Sequence, residues 1–101
     1  MEDLDYRQLN DNIHSRLRLS IFAVLFDRES AEFVALKNYT RASDGNLSIN
    51  LRKLVDAGYL TMEKMFRENK PVTKYSITEK GKRDFEIYLT RLEKFIRRKN
   101  Q

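Results

Sequence analysis

Ten residues from Ser43 to Arg52, SDGNLSINLR, put small and hydrogen-bonding side chains where a helix would begin. Ser43 suits the N-cap, its hydroxyl accepting from the backbone N–H of Asn46. Gly45 and Ser48 carry little bulk, so a helix end built from them can approach another surface closely. Asn46 and Asn50 stand four apart and share one helical face, and an Asn amide pairs bidentately with adenine in a major groove. Arg52 can reach guanine or a phosphate, Lys53 adds charge beside it, and the N–H groups of the first turn suit a phosphate as well. Asp44 is the exception. A carboxylate repels phosphates, so it either complements the helix dipole or accepts from a cytosine amine. Taken alone, such a face is more often that of a well-capped helix in water.

A second group lies 12 to 22 residues beyond Arg52. Lys64, Arg67, Lys70 and Lys74 fall on or beside the tip of what reads as a β-hairpin, YLTMEKMF and VTKYSIT around the polar RENKP, with Arg67-Glu68-Asn69-Lys70 as its loop. Alone, the tip is a charged loop that stays in water. Beside a bare polar helix it can straddle a polyanion's backbone while the helix enters the groove, and the two together favour nucleic acid.

The elements that must position these residues follow from hydrophobic spacing. Residues 15–27 (SRLRLSIFAVLFD) predict a helix apolar on two sides, Leu17, Ile21, Val24 and Leu25 on one and Leu19, Phe22 and Phe26 on the other. One side can face the core and the other a second chain or the last helix. Residues 31–39 predict a short helix with Phe33, Leu36 and Tyr39 inward, and Thr40, Arg41 and Ala42 a tight connection. Within 43–57, Leu47, Leu51, Leu54 and Val55 form an inward stripe that leaves Asp44, Gly45, Asn46, Ser48, Ile49, Asn50, Arg52 and Lys53 outward or sideways, and Gly58 ends the helix. Residues 59–77 hold the hairpin. Thr78 can cap a long helix, 78–98, striped by Phe85, Tyr88, Leu89, Leu92, Phe95 and Ile96. Gly81 in its first turn costs about 1 kcal/mol relative to Ala and points to close packing there.

The order of three helices, a hairpin and a fourth helix predicts an α+β, mainly helical fold: a winged helix-turn-helix with a three-helix core, a β-hairpin wing and a long C-terminal helix. The 101 residues suffice for a single domain, 1–101, in which 1–14 form an N-terminal extension. The absence of Cys excludes disulfides and thiolate metal sites, no metal or cofactor is expected, and no stretch is long and apolar enough for a membrane. The acidic start lacks the pattern of a signal peptide, and a cytoplasmic setting is the expectation. The net charge of +5 is uneven: residues 1–27 carry three Arg against five carboxylates, whereas the rest carries 17 basic against 10 acidic side chains. A basic body suits a polyanionic partner. His14, the single histidine, is assigned to capping or to the surface.

The strings DGNLSINLRKLVDAGYL, EKMF, KPVTKYSIT and KGKRDF resemble the winged helix-turn-helix transcriptional regulators of the MarR/ArsR-like superfamily. The nearest pattern is a small single-domain subgroup with a GNLS-type recognition helix, and RLSIFAVL fits its first helix. The resemblance spans about residues 13–87 and implies a dimeric repressor or activator bound to double-stranded DNA. Carried over, the recognition face comprises Asp44, Gly45, Asn46, Ser48, Asn50 and Arg52, and the wing contributes Arg67 and Lys70. Metal-sensing relatives use Cys and His clusters, which this sequence lacks.

A homodimer is also expected from the residues, because the last helix outruns what a small core needs. Leu17, Ile21, Val24, Leu89, Leu92, Phe95 and Ile96 are the candidate interface, with Leu4, Tyr6, Leu9 and Ile13 pointing the same way. The space between terminal helices and core could admit a small-molecule effector of unspecified chemistry. The competing function is a winged-helix protein–protein interaction module without sequence-specific DNA binding, which would more often expose an apolar groove. No nucleophile–base pair or phosphate loop supports an enzyme. If the face reads DNA, Asn50→Ala should relax base preference by about 1–3 kcal/mol, and Lys70→Ala should weaken binding to every sequence alike.

Overall fold

The computed structural model describes residues 4–97. Its elements are α1 (Arg16–Arg28), β1 (Ser30–Glu32), α2 (Phe33–Thr40), α3 (Asp44–Asp56), β2 (Leu60–Arg67), β3 (Lys70–Ile77) and α4 (Glu79–Ile96), preceded by a single 3-10 turn at Tyr6–Gln8. The expected helices and hairpin are all present.

One strand was not expected. Ser30–Glu32, whose last two residues were read from sequence as the start of a helix, pairs antiparallel with β3 to give a three-stranded sheet of order β1-β3-β2. Three residues are too few to show a period, and Glu29 (φ 70°) turns the chain sharply just before them. The hairpin is also tighter than expected. Arg67 and Lys70 are the last ladder pair, so the loop is Glu68-Asn69 alone, both with positive φ (52° and 67°). That is the type I′ geometry whose twist matches the flanking strands.

Side chains from every layer meet in one core. Leu36 of α2, Leu47, Leu51 and Leu54 of α3, Leu60 and Ile77 of the sheet, and Phe85 and Tyr88 of α4 surround Ile21, Phe22 and Leu25 of α1. The two apolar sides of α1 are used within this chain. Phe22 stacks on Phe85 at 5.3 Å, and Phe26 meets the same ring edge-on at 5.3 Å. Ile21 has no exposed surface, and neither does Ile13 of the N-terminal segment. Neither can therefore reach a second chain, a correction to their expected place at a dimer interface. Leu17, Val24 and Leu92 are half-buried against the core.

The tight approach of α4 explains Gly81. A Cβ there would lie 2.5 Å from the Tyr59 carbonyl oxygen and 2.8 Å from Ile77. Thr78 caps the helix by accepting from the Gly81 N–H at 3.0 Å. The N-terminal segment lies along α4, where His14 Nδ1 shares a 2.7 Å hydrogen bond with the Tyr88 hydroxyl and Arg91 donates to the Gln8 carbonyl. His14 is thus an exposed residue tied to the last helix. Residue 98, the expected end of that helix, lies outside the described residues.

Candidate nucleic-acid interface

The helix of interest is set by its caps. The Ser43 hydroxyl accepts from the Asn46 N–H at 3.2 Å, as its position predicts. Upstream, Arg41 (φ 61°) ends α2 in the left-handed region, leaving only Ala42 and Ser43 before α3. Downstream, Gly58 (φ 85°) stops α3, while Lys80 of α4 donates to the Ala57 carbonyl at 2.9 Å and lies over the Tyr59 ring. An ammonium there also complements the negative end of the helix dipole. With Leu47, Leu51 and Leu54 fully buried, α3 is held at both ends and along one side.

Helical periodicity divides its outer surface in two. Gly45, Ser48, Ile49, Arg52 and Lys53 are exposed, and a Cβ on Gly45 would meet nothing within 4 Å. Ser48, Ile49 and Arg52 share an open groove of about 430 Å³ with Met62, Lys64, Thr73 and Tyr75 of the sheet. Helix and wing therefore form one continuous surface. The other flank, bearing Asn46 and Asn50, turns toward α1. There the Asn50 amide is engaged at both ends: its oxygen accepts from Arg18 Nε at 2.8 Å, and its nitrogen donates to the Asn46 carbonyl and side-chain oxygens at 2.8 and 3.0 Å. Asn50 is half-buried and holds α3 to α1. The free amide donor of the pair belongs to Asn46.

The charged candidates separate in the same way. Asp44 forms a 2.6 Å ion pair with Lys37 of α2, which offsets the repulsion a lone carboxylate would exert on phosphates. Arg67 does not project from the wing tip. It reaches back across β3 to Glu32, donating to both carboxylate oxygens at 3.1 and 2.5 Å. The hydrogen bond from Arg67 holds the Glu32 carboxyl below its ordinary range and raises Arg67 in turn. Lys74 lies 4.0 Å from Glu63. Of the charged candidates on α3 and the wing, Arg52, Lys53, Lys64 and Lys70 are exposed and in no ion pair, so their charges are open to a polyanion.

Two contributors escaped sequence reasoning. Ile49 was placed outward but given no role, although it is 57% exposed in the groove. Glu32 was read as part of a helix, and its partnership with Arg67 depends on the unexpected strand.

An exposed, partly cationic helix face beside a β-hairpin on a three-helix core defines a winged helix-turn-helix DNA-binding protein. A family model for the winged helix DNA-binding domain matches residues 17–96, and the chain belongs to that family. It is 34% identical over 76 residues to the uncharacterized protein MJ0432 of Methanocaldococcus jannaschii, covering 75% of this chain and 83% of the relative. Its fold matches a transcriptional regulator homologue of Pyrococcus horikoshii OT3 with a TM-score of 0.85 at 26% identity, over 95% of each chain. NadR, solved in complex with 4-hydroxyphenylacetate, matches with a TM-score of 0.72 at 19% identity, over 90% of this chain and 64% of NadR.

Proposed function

We propose that this chain is a sequence-specific, double-stranded DNA-binding transcriptional regulator that acts as a homodimer in the cytoplasm. In this reading α3 enters the major groove and the hairpin rests on the flanking backbone. The observation that carries it is the single surface formed by α3 and the wing, where Ser48, Arg52 and Lys64 share one groove and Gly45, Lys53 and Lys70 are exposed on the same two elements. Ser48, Asn46 and Arg52 meet base edges, and Ile49 offers an apolar contact to a thymine methyl group. Asn50 fixes the angle of α3. The lysines and the first-turn N–H groups hold phosphates.

The role is one of binding and not of catalysis. Two copies would read half-sites about 10 bp apart, one helical turn of DNA. A small-molecule effector enters the proposal by likeness to the NadR complex, and no cluster among the described residues specifies its chemistry.

The test is titration of random and upstream-region duplexes by fluorescence anisotropy across a salt series. The expected result is tight binding to selected sites, with affinity falling steeply as salt rises because phosphate contacts release counterions. Affinity indifferent to salt, or identical for all sequences at every salt concentration, would overturn the reading.

A further inference from the structure

The two faces of the wing carry different chemistry. The ladder from Leu60↔Ile77 to Arg67↔Lys70 is regular, so side chains alternate strictly between faces. Glu63, Met65, Arg67, Lys70, Val72 and Lys74 share one face. Met62, Lys64, Phe66, Pro71, Thr73 and Tyr75 share the other, and this is the face that lines the groove with α3. Arg67, on the first face, is drawn back to Glu32. Phe66, its neighbour on the second, is 78% exposed, the highest value for a large apolar side chain among the described residues.

A phenylalanine left in water at the end of a rigid two-residue turn contributes nothing to the core. It lies opposite Pro71, one residue short of the turn, on the same side as Ile49 and Met62, which are 57% and 46% exposed. Lys64 is two residues from it on the same face, and Lys70 stands at the tip. The carboxylates nearby are Asp56 in the groove and Glu68 in the turn. An apolar tip flanked by unpaired lysines fits a duplex, which offers apolar sugar edges between rows of phosphates. A second copy of this chain would bring the same cations and be repelled.

We propose that Phe66 is the wing-tip side chain that enters the minor groove of bound DNA, where its ring packs on sugar edges and wedges at a base step. Lys64 and Lys70 hold the phosphates on either side. Apolar wedges of this kind unstack a step partially and bend the duplex, and the bend brings more protein surface into contact. The Arg67–Glu32 pair keeps the adjacent arginine out of the groove and stiffens the tip. This inference rests on the DNA-binding reading above.

The test uses the full chain and a duplex selected from a random pool by the wild-type protein, with 2-aminopurine placed at the steps flanking the α3 site. Wild type should raise the fluorescence at one flanking step as that base unstacks. Phe66→Ala should melt like wild type, lose the rise, and bind about tenfold more weakly with an unchanged salt slope, since only apolar contact is removed. Phe66→Leu should keep most of the rise. Lys64→Ala should keep it too, while lowering the salt slope by about 1. Failure of wild type to bind any duplex would overturn the DNA reading itself. Binding by wild type with no fluorescence rise, or a Phe66→Ala chain equal to it in affinity and fluorescence, would overturn the Phe66 inference alone. So would a sedimentation change in Phe66→Ala without DNA, which would mark the ring as a protein contact.

Discussion

Arg67 clasps Glu32 across the middle strand of the sheet, joining the wing tip to the residue that immediately precedes α2. Both partners are partly exposed, so the pair adds little to global stability, and its consequence is local: it fixes the hairpin's angle to the helical body. Glu32 titrates below its ordinary range because Arg67 hydrogen-bonds its charged form. A carboxylate with a lowered folded pKa contributes above its unfolded value, and the contribution is lost as pH falls through the folded one. The brace should therefore hold at neutral pH and release only below the usual carboxylate range. Carbon-detected titration should place Glu32 below the ordinary glutamate range. Arg67→Ala should return it to the ordinary range while the melting midpoint barely moves. An unchanged Glu32 titration in that variant would show that the clasp is not formed in solution.

Asn50 is committed within the chain. Its bonds to Arg18 and Asn46 join α1 to α3, so Asn50→Ala should cost about 1 kcal/mol of stability. Because the loss is one of positioning, binding to selected and random duplexes should weaken by similar factors. Arg52→Ala should instead cost about 1–3 kcal/mol on the selected site relative to random DNA. Urea denaturation and competition anisotropy measure the two effects separately. A strong loss of base preference in Asn50→Ala with no loss of stability would restore the role its spacing first suggested.

The difference for Asn50 shows where the sequence stops being legible. Helical spacing placed Leu47, Leu51 and Leu54 inward, Ser43 at the cap and Gly58 at the end, because local backbone and burial rules decide those positions. The partner of a polar side chain is decided by tertiary geometry. Nothing in the spacing of Asn46 and Asn50 indicates that Arg18, 32 residues away, lies beside them. The same holds for Arg67, whose partner sits on a strand too short to leave a periodic trace. The imperfect alternation of β3 has a simple source: Val72 and Tyr75 lie on opposite faces, and only Tyr75 is buried.

The two helical glycines should respond oppositely to alanine. At Gly81 a methyl would press on the Tyr59 carbonyl and Ile77, backbone and core that cannot easily move, and should destabilise the fold by about 1–3 kcal/mol. At Gly45 a methyl meets nothing, and the better helix former should stabilise by about 0.5–1 kcal/mol. Gly45→Ala should nevertheless bind DNA more weakly, because the added methyl occupies space at the approaching helix end. Thermal melts and anisotropy on the two variants check both signs. A Gly45→Ala chain that is more stable and binds as well as wild type would show that α3 does not approach DNA through its first turn.

The last helix carries the dimerisation proposal. With Ile21 enclosed in the core, the distal part of α4 still offers apolar surface to a second copy, since Ile96 is 71% and Leu89 39% exposed and Leu92 and Phe95 are half-buried. Exposed apolar side chains at helical spacing beyond the core gain most by meeting their own copies about a two-fold axis. Leu89→Lys combined with Ile96→Lys should yield a folded monomer by sedimentation, with a melting curve no longer dependent on concentration. On a duplex with two half-sites about 10 bp apart, that variant should bind no more tightly than on one half-site, because the avidity of the pair is gone. A wild-type chain that sediments as a monomer at micromolar concentration would remove the dimer. Persistence of the dimer in the double variant would move its interface away from α4, toward the exposed Leu4 and Tyr6 of the N-terminal segment.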